Sequence, residues 1–235
     1  MSLLTMIQEV SKEIGIPKPI QVFGTADLAV LQLLSIANTE GKNLSKRYMW
    51  QDLVVLASFT MLKAELQGPM TTVAGTDFQH MISETMWDQT DDEFIGGDVN
   101  VRKWQNLQAT IITGPHPVFR IYGGKLYLTP APTSFNNLAF AYKSKNWCQS
   151  SGGTGQSSWA ADTDTGIMDE DLMQMGIKWR WLKTKGLDYS EEFREYEIQL
   201  SIAKGNDGSK RTYDMGFSHN SASPGVGIPE GSWSI

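Results

Sequence analysis

At 235 residues, 40 % of them hydrophobic, the chain is long enough to bury a substantial core, as one domain or as a core carrying an inserted subdomain. A net charge of −6 argues against a protein that grips duplex nucleic acid through a basic face, though not against a surface that DNA passes without sticking. A lone cysteine, Cys148, excludes an internal disulfide framework and a cysteine-cluster zinc site, and no stretch has the ~18 apolar residues a bilayer span needs.

The N-terminal stretch MSLLTMIQEVSKEIG lacks the basic start and apolar run of a signal peptide, so a soluble cytoplasmic protein is expected. Leu3, Ile7, Val10 and Ile14 recur at helical spacing, with Ser2 as a cap and Gly15 and Pro17 as stops. A second helix is predicted from Thr25 or Asp27, ending by Gly41, and a short helical turn around Leu44–Met49 leads into Trp50. LVVLASFTMLKAELQ has poor helical periodicity, and Leu53–Val73 reads as a strand pair. After an acidic connection, Asp98 is placed to cap a short helix through Val101, Trp104 and Leu107.

PVFRIYGGKLYLTPAP is the clearest signal of the middle region. Two strands flank Gly123-Gly124, a two-residue linkage suited to a primed turn. LAFAYKSKNW adds a strand with Leu138, Phe140 and Tyr142 alternating, and SSGGTGQSS reads as a flexible loop.

Two helices follow. Met168, Leu172, Met175, Trp179 and Leu182 share one face of the first; Tyr189, Phe193, Tyr196, Leu200 and Ala203 share one face of the second. Gly186 separates them, and Asp188 with Glu191 resembles a capping box. The first helix carries a second apolar row, Met173, Ile177 and Trp181, which predicts burial between neighbours, taken as a subunit interface. From Asn206 onward about thirty residues rich in Gly, Ser, Asn and Pro carry widely spaced large residues, among them Tyr213, Met215, Phe217, Val226, Ile228, Trp233 and Ile235. Such a segment cannot bury enough surface to fold alone, yet its anchors suit ordering by a partner.

Signals for chemistry are weak. An EF-hand loop starting at Asp162 would need an oxygen ligand, Gly and Glu where Gly166, Ile167 and Met173 stand. GGTGQSS has neither the Lys of a phosphate-binding loop nor the third Gly of a dinucleotide fingerprint. His80, His116 and His219 lie in different segments without nearby ligand partners. Cys148 has no nucleophile motif, and Asp88, Asp91, Asp92 and Glu93 read as an acidic solvated face. No catalytic residue, cofactor site or metal site is expected.

The order of parts carries more. Two helices lead to RYMWQDL, then strands and GTDFQHM, the Trp helix VRKWQNL, the hairpin FRIYGGKLYLTPAP, the strand LAFAYKSKNW, a polar loop, and IKWRWLKTKGLDYSEEFREYEIQL. Over about residues 1–205 this resembles the head-to-tail adaptor (connector) proteins of short-tailed bacteriophages, the group of the tail tubular A proteins. The resemblance implies an α+β fold with N-terminal bundle helices over 1–50 and a small antiparallel β domain inserted at 51–150. A loop and helical hairpin follow at 151–205, then an extended C-terminal arm at 206–235. It implies a structural virion protein at the head–tail junction, not an enzyme, forming a ring, typically a dodecamer. Its partners would be the portal protein, the tail nozzle or a second adaptor, and double-stranded DNA passing through without sequence-specific binding, with no membrane. Tyr213, Met215, Phe217, Trp233 and Ile235 become candidate portal-docking anchors. The middle segment departs from the family pattern in its long apolar LVVLASFTM run and its acidic DQTDDEF loop. A competing expectation is a β-rich carbohydrate- or receptor-binding tail component that presents Trp147 and Trp159.

Overall fold

The computed structural model describes residues 1–109 and 117–208. Helix α1 (Leu3–Glu13) starts where Ser2, in extended conformation, accepts the Thr5 N–H, and it buries Leu3, Met6, Ile7 and Val10. Helix α2 (Leu28–Arg47) is capped by Asp27, whose Oδ1 accepts the Ala29 N–H at 2.8 Å. It does not stop at Gly41 as the sequence predicts, and the turn around Leu44–Met49 is its continuation. Gly41 serves close approach rather than termination: a Cβ there would lie 2.3 Å from Cζ3 of Trp147.

The apolar run yields β1 (Val54–Thr60) and β2 (Leu66–Pro69), but the two do not pair with each other. Strand β1 pairs antiparallel along its whole length with β8 (Asn137–Ser144), from Val54↔Lys143 to Thr60↔Asn137. Strand β2 joins β7 (Lys125–Thr129), itself the second arm of a hairpin with β6 (Val118–Tyr122). That hairpin turns at Gly123 and Gly124, with φ of 58° and 70°, the primed geometry the glycine pair predicts. Between β2 and β6 lie α3 (Met70–Val73), β3 (Phe78–Met81), β4 (Trp87–Asp88), β5 (Glu93–Phe94) and α4 (Val101–Ala109). Asn100, not Asp98, caps α4 by accepting the Lys103 N–H at 2.8 Å; Asp98 instead accepts the Ile121 N–H.

The polar stretch after Trp147 is more ordered than its composition suggests. Strands β9 (Cys148–Gln149), β10 (Gly155–Gln156) and β11 (Thr165–Gly166) form a small sheet in the order β10-β9-β11. Its turn closes through Gly153 N–H to the Ser150 carbonyl at 2.9 Å. Helix α5 (Glu170–Lys185) is capped by Asp169 on the Leu172 N–H and ends at left-handed Gly186, after which the Leu187 N–H returns to the Leu182 carbonyl. Helix α6 (Ser190–Asp207) runs slightly past Gly205. The expected capping box is absent there: Asp188 accepts the Ser190 N–H two residues on, and Glu191 pairs with Arg194.

Among the described residues the result is an α+β fold with two hydrophobic cores. One is built by α1, α2, α5 and α6 with Trp50, Leu53, Trp147 and Trp159. The other lies among the strands, around Met86, Phe119, Leu126, Leu138 and Phe140. Trp147 and Cys148 belong to the helical core, although residue 150 was the expected end of the β region.

Candidate functional site

Helix α5 lies against α1, α2 and α6, so helices before and after the strand region meet on it. Here the structure corrects the subunit-interface expectation. Met173 and Ile177 are fully buried and Trp181 is 4 % exposed, all within the chain's own helical core. A helix with neighbours on three sides needs apolar residues on more than one row, so both rows are used inside a single chain.

Where α2, α5 and α6 converge, Glu40 is completely buried. Its carboxylate accepts from Arg180 of α5 and, at 2.5 Å, from the hydroxyl of Tyr196 of α6. Gly176 of α5 makes room for it, since a Cβ there would sit 2.4 Å from the Glu40 carboxyl carbon. Burial, then the Glu40 charge, pushes the Tyr196 phenol well above its usual range. A second buried charge joins the two cores. Lys143 of β8 donates to the carbonyls of Ser45 and, at 2.6 Å, Tyr48, occupying carbonyls at the end of α2, and burial lowers its pKa. Sequence reasoning missed both residues. For Glu40 a signal existed: it falls on the buried stripe Leu33, Ala37, Glu40, Leu44, where a charge implies a partner.

The loop carboxylates serve the backbone. Asp162 accepts the N–H groups of Val22 and Phe23, tying the α1–α2 connection to the loop before β11. Asp164 accepts those of Ala160 and Ala161. Asp88, expected on a solvated acidic face, is instead buried; its Oδ1 accepts the Thr90 N–H, and the Asn136 amide reaches both Asp88 at 2.6 Å and Asp91. Among the described residues no group of three or more His, Cys, Asp or Glu side chains is placed to hold a metal ion. His80 lies in β3, where burial and the Lys143 charge lower its pKa; His116 and His219 fall outside the described residues.

Trp147 and Trp159 are 1 % and 4 % exposed and meet edge to face, ring centroids 5.2 Å apart. They offer no surface to a glycan, which corrects the expectation that they form a binding platform. Cys148 is equally buried, its thiol pushed up to about 12 by desolvation and by the charge of Asp164. The sign of its contribution follows. Above its ordinary value of 9.0 the unfolded thiol loses a proton that the folded one keeps, so stability falls as pH rises from 9.0 toward about 12. Cys148→Ala is therefore expected to flatten the decline of Tm between pH 9 and 10, before tyrosines contribute; an unchanged slope over that interval would contradict this.

The chain leaves the described region at Gly208, beside a groove of about 520 Å³ lined by Trp50, Asp52, Ile167, Met168, Ala203 and Asp207. Asp207 accepts the Gln51 N–H there, so the end of α6 is tied to the start of the β region. Tyr213, Met215, Phe217, Trp233 and Ile235 lie outside the described residues. A further groove between α1, α5 and α6 is acidic, lined by Glu13, Asp171, Glu192 and Glu195, with Lys178 paired to Glu13 at 3.1 Å.

These contacts define an α+β protein in which helices from both ends of the chain share one core and the intervening strands build another. No protein-family model matches the chain, and no curated protein does either.

Proposed function

We propose that the chain is a structural head-to-tail adaptor of a bacteriophage virion, a ring-forming protein that joins the portal to the tail and lets DNA pass. The observation that carries this reading is the arrangement of parts. Helices α1, α2 and α6 pack on α5, with the strands inserted in sequence between α2 and α5, in the element order in which the sequence resembles the tail tubular A group. The net charge of −6 is compatible with it, because repulsion keeps DNA phosphates from sticking to a channel wall. In this reading the segment beyond Gly208 docks on the portal, and the opposite face meets a tail nozzle or second adaptor. Many weak arms on one ring then bind together.

Electron microscopy of the purified protein mixed with a portal ring tests the proposal; absence of any joint complex would overturn it. Deleting residues 209–235 should leave the helical core folded, since α6 is complete at Asp207. The same deletion should weaken portal binding on the order of 100-fold through lost avidity. Unchanged affinity would remove the arm from the docking role.

A further inference from the structure

Two exposed helix stripes carry opposite halves of one pattern. On α2, Leu28, Leu31, Lys42 and Lys46 lie on the outward face, joined by Ser35 and Thr39 at three- and four-residue steps. Its first turns are apolar, with Leu28 75 % and Leu31 41 % exposed, and its last turns are basic. On α6, Glu191, Glu195, Ile198 and Ile202 form the outward stripe, acidic first and apolar later, with Ile198 45 % and Ile202 50 % exposed. Both helices rest on α5.

We infer that the α2 stripe of one copy docks antiparallel on the α6 stripe of a second copy. The spacing supports this register. Leu31 and Lys42 are eleven residues apart, as are Ile202 and Glu191, about 16 Å along each helix axis. Setting Leu31 on Ile202 therefore brings Lys42 to the Glu191 carboxylate, which also holds Arg194 of its own helix, and Leu28 to Gly205, where a Cβ position has no atom within 4 Å. A parallel arrangement would press Leu28 and Leu31 on Glu191 and Glu195. Symmetric pairings fail for the same reason. Antiparallel α2 on α2 sets leucines on lysines, antiparallel α6 on α6 sets isoleucines on glutamates, and parallel pairs oppose like charges. Joining unlike faces makes the contact heterologous, so it propagates from copy to copy. Closure of that series into a ring rests on the adaptor reading; the pairwise contact does not.

The contact is tested by mixing Leu31→Cys and Ile202→Cys proteins at high concentration under mild oxidation, with the unsubstituted chain as control for the buried Cys148. A disulfide-linked heterodimer is expected from the mixture and little from either protein alone. Lys42→Glu should lower the cross-linking yield about fivefold, and Glu191→Lys in the partner should restore it. No cross-link in the mixture, equal cross-linking by either protein alone, or a yield insensitive to Lys42→Glu would each overturn the proposal. All four positions are on the surface, so circular dichroism should report an unchanged fold. A cross-linking pair that still forms no complex with a portal would leave this contact standing and remove the adaptor reading.

Discussion

Glu40→Ala is expected to destabilise the protein by about 3–5 kcal/mol, the usual cost of removing one partner from a buried charged pair. The carboxylate is fully buried and is the point where three helices meet: it comes from α2, lies against Gly176 of α5, and receives Arg180 and the Tyr196 hydroxyl. Alanine would leave Arg180 mostly buried without its counter-charge and Tyr196 without its acceptor, beside a cavity that Gly176 is too small to fill. For a chain of this length the loss corresponds to a Tm lower by roughly 10 °C. Glu40→Gln keeps an acceptor for Tyr196 and should lose less. Urea and thermal denaturation followed by circular dichroism measure both; a loss below about 1 kcal/mol for Glu40→Ala would show that the network is dispensable.

Trp181→Ala should cost about 3–5 kcal/mol through lost burial and an unfilled cavity. The indole is 4 % exposed inside the helical core, with the Lys185 ammonium 4.4 Å from its ring centroid. The informative comparison is Ile202→Ala, which changes an exposed residue of α6 and should leave monomer stability within about 0.5 kcal/mol. Denaturation of the dilute monomer separates the two roles. If Trp181→Ala kept full stability and lost only self-association, the side chain would belong to a subunit interface after all.

Local signals were legible wherever one short stretch held both the pattern and its punctuation. Ser2 with Leu3, Ile7 and Val10, Asp27 ahead of α2, the Gly123-Gly124 hairpin, and Gly186 between α5 and α6 all occur as read. Misreadings arose where a residue answers to something distant in sequence. Gly41 looks like a helix stop but accommodates Trp147, and Asp98 looks like a cap but binds Ile121. Strands β1 and β2 are neighbours in sequence yet join different sheets, β1 pairing along its whole length with β8 and β2 with β7. The ladder of β9, β10 and β11 has two residues per strand, too short to show alternation.

Of the candidate sites, the apolar rows of α5 were visible as rows, but not what faces them. Periodicity reports how many sides of a helix are covered and is silent on whether the cover is the same chain or another. The starts of α1 and α2, the primed turn and the break between α5 and α6 were set by the sequence itself, since each depends on contacts a few residues apart. Tertiary structure alone decided that Met173, Ile177 and Trp181 are core and that Glu40 and Lys143 are buried junctions. It likewise left the outward stripes of α2 and α6 exposed, with apolar and charged residues on each. The reason is burial: a side chain's environment is fixed by partners 95 to 156 residues away, as Lys143 with Tyr48 and Tyr196 with Glu40 illustrate.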